Sequence, residues 1–458
     1  MKLTKIAIPL VFTIGLLVVF GFVLRGALHR RAADLEVKSP DLSVAKGPST
    51  PADARIQTAQ QAIAQSPNKP EGYNLLASAF MQKARETGDF GFNARAEGAL
   101  VRSLEVDPEN YDAIKLRAKL LLTYHRFGEA LQFARRAQAL RPDDHDNYGA
   151  LTDALVELGD YPAAIEAAQK MVDLRPDSAS YARVSYLRSL HGDGEGAIEA
   201  MRVAVKAANP NDPEGAAWCR VHLGDELMNT GKRREADQEY DNALYLFPDY
   251  PLALAAKARA RVAAGDLPQA INFYERAQNR VPLPETAIAL GDLYARLRRP
   301  DDAKRQYQLV EFVERNSAAS GTYSRQLAMF WADHDEKLDQ ALAIAQKERS
   351  TREDIYTCDA LAWTLFKNNR LDEAQKSMAE ALRLGTRDAR LYYHAGMISN
   401  ELGERQNATR YLTLALETNP NFDVLQVELA RKSLDALKNG RGRKSDSSAS
   451  VAVMSRVE

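Results

Sequence analysis

The sequence predicts an all-α solenoid of stacked helix pairs, preceded by one N-terminal transmembrane helix. Three observations predict it. Prolines recur at a 34-residue spacing: Pro108, Pro142 and Pro176, then Pro248 and Pro282. Between them a glycine, a small residue and larger apolar residues return in a fixed order. Residues 6–24 carry no charge at all.

The uncharged run reads "IAIPLVFTIGLLVVFGFVL". At about 1.5 Å per helical residue it just spans a hydrocarbon core of about 30 Å. It is longer than a signal-peptide apolar region and lacks a small-x-small cleavage site. An uncleaved signal anchor is therefore expected, with cleavage and release of a secreted soluble binder as the alternative. Lys2 and Lys5 precede the span, and Arg25, Arg30 and Arg31 follow it. This near balance leans toward a chain whose bulk lies outside the cytoplasm, on the periplasmic side. Residues 25–55 hold Ser39-Pro40, Gly47-Pro48 and Thr50-Pro51 without apolar periodicity, so a flexible linker is expected there.

The repeating region follows, over residues 56–437. "LVELGDYPAAIEAAQKMVDLRP" carries Gly159, Ala164, Ala168 and Pro176. "LMNTGKRREADQEYDNALYLFP" carries Gly231, Ala236, Tyr240, Ala243 and Pro248. "RVAAGDLPQAINFYERAQNRVP" and "SNELGERQNATRYLTLALETNP" repeat the order. Apolar residues at helical spacing make each half-unit a helix. The glycine belongs to the turn inside a pair, and the proline to the connection between pairs. Small residues let two antiparallel helices approach, while tyrosines fill the gap to the next pair. No pair buries its apolar face alone, so the pairs stack. The acidic run Asp143-Asp144-His145-Asp146 looks like a metal site. One period later its last three residues become Ser178, Ala179 and Ser180. The run is read instead as helix-start acids at a repeat boundary.

The period, the Leu-Gly pairs Leu223-Gly224 and Leu290-Gly291, the small residue and the closing proline resemble the tetratricopeptide repeat (TPR) family. "DALAWTLFKNNRLDEAQKSMAEAL" (Asp359–Leu382) is similar to its bacterial members. The resemblance implies a right-handed superhelix of about nine to ten repeats with a C-terminal capping helix. Three departures stand out: an insertion at Glu86–Asn93, a longer connection over 207–215, and "RNSAASGTYSR" over 315–325 in place of the proline. Residues 438–458 are polar and Gly/Ser-rich, and are expected to be a disordered tail.

The chemistry of the chain points away from an enzyme. No phosphate loop, GxSxG, HExxH or CxxC occurs, and the seven histidines are scattered. Repeats fill the space a catalytic domain would need. Cys219 and Cys358 exclude a disulfide framework or Cys-rich zinc site. Lys+Arg of 61 against Asp+Glu of 62 gives no pull toward nucleic acid. No cofactor, metal or small-molecule substrate is expected.

The expected function is a membrane-tethered scaffold for protein–protein interaction, or a non-catalytic subunit of an envelope enzyme or assembly complex. The resemblance implies that the first helix of each pair lines a concave groove. On that register the groove residues are Trp218, Met329, Tyr356, Trp363, Phe366, Tyr393 and Met397, with Asp359 and Met228 beside them. Exposed aromatic and Met side chains there would suit an apolar or helical peptide. The family's carboxylate clamp is not expected, because its places hold Ser78, Lys119 and Asp153.

Overall fold

The computed structural model describes residues 50–319 and 325–439. The expected anchor, nearly all of the linker, and the tail past Asn439 lie outside the described residues. Among the described residues no helix is long and apolar enough to cross a membrane.

Twenty-two helices and no strand occur among these residues. A lead helix, α1 (Pro51–Gln65), precedes ten antiparallel pairs. The first five are α2/α3 (Pro70–Thr87, Gly91–Val106), α4/α5 (Tyr111–Thr123, Phe127–Leu140), α6/α7 (His145–Glu157, Tyr161–Leu174), α8/α9 (Ser178–Leu190, Gly194–Ala207) and α10/α11 (Pro213–Asn229, Arg233–Leu246). The next five are α12/α13 (Pro251–Ala263, Leu267–Arg280), α14/α15 (Pro284–Arg296, Pro300–Ala319), α16/α17 (Arg325–Asp333, Leu338–Arg349), α18/α19 (Ile355–Lys367, Leu371–Ala381) and α20/α21 (Ala389–Glu401, Arg405–Thr418). A closing helix, α22 (Gln426–Lys438), packs on α21.

The helical region starts at Pro51, inside the stretch expected to be linker. Pro51 is the first residue of α1, where its missing N–H costs nothing. Ala52 and Ile56 are buried, and Asp53 binds Lys83 at 2.7 Å. A helix with one apolar stripe thus covers the open side of α2.

The turn inside a pair explains the recurring glycine. In the third pair Gly159 has φ +77°, its N–H bonds Val156 O, and Asp160 N–H bonds Leu155 O. Gly192, Gly231, Gly265 and Gly403 repeat this left-handed turn. His125, Arg298 and Asn369 take the same place with φ of 56–59°, accepting a backbone cost of roughly 1 kcal/mol. The small residues act as expected. Ala164, Ala236, Ala270 and Ala408 are fully buried at the contact within each pair. A Cβ at Gly224 would come within 2.3 Å of the Tyr240 ring, whose hydroxyl donates to Asp225 at 2.9 Å.

The acidic run before α6 has structural work. Asp144 caps the helix, accepting from Asp146 N at 2.9 Å, from Tyr111 Oη at 2.6 Å and from Lys115 Nζ at 2.9 Å. Burial opposes its charge, yet the Tyr111 and Lys115 bonds hold the carboxyl down at about 2.

One feature of the architecture goes beyond the period. The superhelix closes on itself, so that repeats about 194 residues apart touch. Glu353 N donates to Glu157 O at 3.1 Å, and Ile355 N to Tyr161 Oη at 3.0 Å. Thr386 Oγ1 donates to Leu190 O. Leu151, Tyr161 and Leu190 share one core with Ile355, Leu365 and Leu391. The turn glycines permit this approach as well. A Cβ at Gly159 would meet Glu353 O at 2.8 Å, and one at Gly192 would meet Gly385 O at 2.6 Å. At the closing end, Asn421 reaches Ala263 O at 3.4 Å and Arg296 reaches Val424 O at 2.9 Å.

A buried ion cluster fastens the closure. Arg352 binds Glu157 at 3.2 Å, Glu348 at 3.1 Å and Thr357 Oγ1 at 2.9 Å. Arg325 binds Asp354 at 2.9 Å. The Arg352 side chain is 6% exposed and Glu348 is buried beside it, while Glu157 keeps an edge to solvent.

Candidate partner-binding lumen

Closure turns the concave face into a lumen walled mainly by the first helix of each pair. Among the described residues, two cavities on it stand out. The larger, about 790 Å³, lies between α6, α8 and α10, with Asp153, Glu157, Tyr186, Trp218, His222 and Glu226 on its wall. The second, about 490 Å³, lies between α10, α12, α14 and α16, with Met228, Arg259, Met329, Asp333 and Phe422 on its wall. Groups from distant repeats feel one another across the interior. Burial pushes the Tyr356 hydroxyl, on α18, well up; Asp388 before α20, Tyr186 on α8 and Glu226 on α10 add to the rise, and Arg325 on α16 opposes it.

The expected groove residues divide between wall and packing. Trp218 lines the larger cavity, with its ring 4.0 Å from that of His222. Met329 lines the second cavity beside Met228. Tyr356 is half-buried, under the Arg325 guanidinium. Phe366 and Met397 are half-buried against the core around Trp363. Trp363 and Tyr393 are a correction: each is 1% exposed and packs between repeats rather than on an open groove. Trp363 Nε1 donates to Asp333 at 2.8 Å, and its ring stacks on Phe366 and His394. Asp359 is likewise buried, accepting from His394 Nδ1 at 2.8 Å. Tyr186 was missed by sequence reasoning. It is 43% exposed on the lumen wall, and its place in α8 carries no repeat signal.

The wall electrostatics follow from enclosure. Burial pushes the Glu226 carboxyl up to about 7 despite the Ser189 Oγ bond at 3.0 Å, and Asp225 adds to the rise. Burial likewise raises Glu157, reinforced by Asp354 and opposed by Arg352. Burial pushes the His222 imidazole down, against a smaller opposing pull from Asp225. Burial also works against a charge on His334, but its 2.9 Å bond to Asp292 overrides it and lifts the imidazole to about 9.

Glu226 gives a prediction with a definite sign. The folded chain keeps this proton to about pH 7, whereas an unfolded chain releases it near the ordinary value of 4.5. Folding takes up a proton between those values, so this group's contribution to stability falls as pH rises across them. Glu226→Gln keeps an acceptor for Ser189 and removes the charge. It is expected to raise the urea midpoint above the window and leave it unchanged below, as read by denaturation at both pH values.

The family model described as tetratricopeptide repeat matches residues 81–145, 150–213, 222–283 and 360–421, together more than half of the chain. The chain belongs to the tetratricopeptide repeat family. The stretch between the third and fourth TPR matches contains the 20-residue α15 and the 9-residue α16, where the repeat is least regular. TPR proteins generally mediate protein–protein interaction, and their fold is typically a non-catalytic scaffold. No curated protein matches the chain. Among solved structures it is similar to a human IFIT1 dimer with m7Gppp-AAAA, at 14% identity over 73% of this chain and 77% of that one, TM-score 0.46. It is also similar to yeast Tom70, at 14% identity over 86% and 94%, TM-score 0.38. A TPR protein from Parabacteroides merdae aligns at 20% identity over 57% and 99%, TM-score 0.33. Likenesses at these scores carry no argument about what this chain binds.

Proposed function

We propose that the chain is a membrane-tethered scaffold that holds a segment of a partner protein in its lumen. The observation that carries this reading is the pair of cavities walled by Trp218, Tyr186 and Met329 inside a closed TPR superhelix. Accessible aromatic and Met side chains in a concave, enclosed wall suit an inserted peptide. The tether rests on the uncharged run 6–24. An anchor holds a bound partner at high effective concentration near the membrane, in the millimolar range for short flexible linkers. The arginine and lysine balance around the span favours a periplasmic position for the repeats.

The test uses the full chain in its own membranes, with a photo-crosslinking amino acid at Met329. The expected result is an adduct with a partner chain that stays in the membrane pellet after a carbonate wash. Release of the chain by carbonate would sink the tether. Absence of any adduct at this wall position would sink the scaffold reading.

A further inference from the structure

We propose that the cavity between α6, α8 and α10 receives an arginine or lysine side chain from a basic segment of the partner protein. This deepens the scaffold reading and rests on it. The chain as a whole is balanced, 61 basic against 62 acidic residues. The lumen is not. Each cavity is walled by five carboxylates and two arginines, and among the described residues neither by a lysine.

In the larger cavity both arginines are committed. Arg183 grips Asp153 with two bonds, at 2.8 and 2.6 Å, and Arg85 lies 3.4 Å from Glu214. Asp212 caps α10 through Gly215 N at 3.1 Å. Among the described residues Glu226 has no cation bound to it, only the Ser189 hydroxyl on one oxygen. His222 is half-buried against the Trp218 ring, and among the described residues no group is hydrogen-bonded to its imidazole. A neutral imidazole offers one acceptor and one donor nitrogen.

The wall therefore presents more carboxylates than cations to match them. A guanidinium or ammonium carries donors only, so it satisfies Glu226 and His222 together. Its aliphatic stem lies against Trp218 and Tyr186, with a cation–π gain on the same rings. An anion would meet five carboxylates. A neutral apolar group would leave Glu226 and His222 unmatched at a desolvation cost.

The experiment pans a random peptide library on the detergent-solubilised full chain, then measures affinities of a synthetic consensus peptide. Enriched peptides are expected to carry Arg or Lys beside an apolar residue. Replacing that Arg by neutral citrulline is expected to weaken binding about tenfold or more, and Glu226→Gln to do the same with the chain still folded. Enrichment of neutral or acidic peptides, or undiminished binding by Glu226→Gln, would overturn the proposal and leave the scaffold reading standing. No enriched peptide at all would overturn both. A third outcome also counts against it. If deleting residues 439–458 alone tightens binding about tenfold, the chain's own Arg441-Gly442-Arg443-Lys444 segment is the occupant.

Discussion

Trp363→Ala is expected to cost the α18–α20 region about 3–5 kcal/mol of local stability. The side chain is 1% exposed, and its removal leaves a large void among Phe366, Tyr393 and His394. Its indole N–H bond to Asp333 is lost too, although Gln426 still donates to that carboxylate at 2.6 Å. In a repeat array each pair is stabilised mainly by its neighbours, so the loss is concentrated around the substitution. Native-state hydrogen exchange reads it as faster opening of α18 and α20, with little change in α2–α5. Tyr245→Ala is the control. That ring is 86% exposed, and its loss is expected to stay within about 0.5 kcal/mol. A Trp363→Ala chain as stable as the control would show that this ring is not core.

Arg352→Met is the second large effect. It removes a guanidinium that touches Glu157, Glu348 and Asp354 together. Asp354 keeps Arg325, but Glu348 is left buried without its cation, which costs about 3–5 kcal/mol, far more than an exposed pair. Because Glu157 belongs to α6 and Arg352 to the connection before α18, the cost falls on the closure rather than on one pair. Solution scattering is expected to show a larger radius of gyration and loss of the closed form. Tyr161→Phe removes only the bond to Ile355 N and is expected to cost about 1 kcal/mol, leaving the ring closed. Equal compactness of Arg352→Met and the native chain would contradict the role given to this cluster.

Much of the fold is written in short-range signals. Gly159 and Gly231 mark left-handed turns, and Ala164 and Ala236 mark close helix contacts, all within one period. Closure is not written there. It depends on the pitch of the whole stack, which brings Glu353 to Glu157 across nearly 200 residues. No single repeat carries that angle. The groove assignment met a similar limit. Trp218 and Trp363 both lie on first helices, but the neighbouring pair covers one and leaves the other beside a cavity. The acidic character of the lumen is invisible in a balanced composition, since it appears only once helix faces are placed. Helix α1 hid in a Pro- and Thr-containing stretch because proline punctuates linkers and also begins helices.

The central claim is that the enclosed inner wall, not the outer surface, meets the partner. Photo-crosslinking from Tyr186, on that wall, and from Tyr245, on an outer helix, tests it most directly when both probes sit in the full chain in the same membranes. The account predicts an adduct from position 186 and none from 245. Adducts from 245 alone, or equally from both, would contradict it.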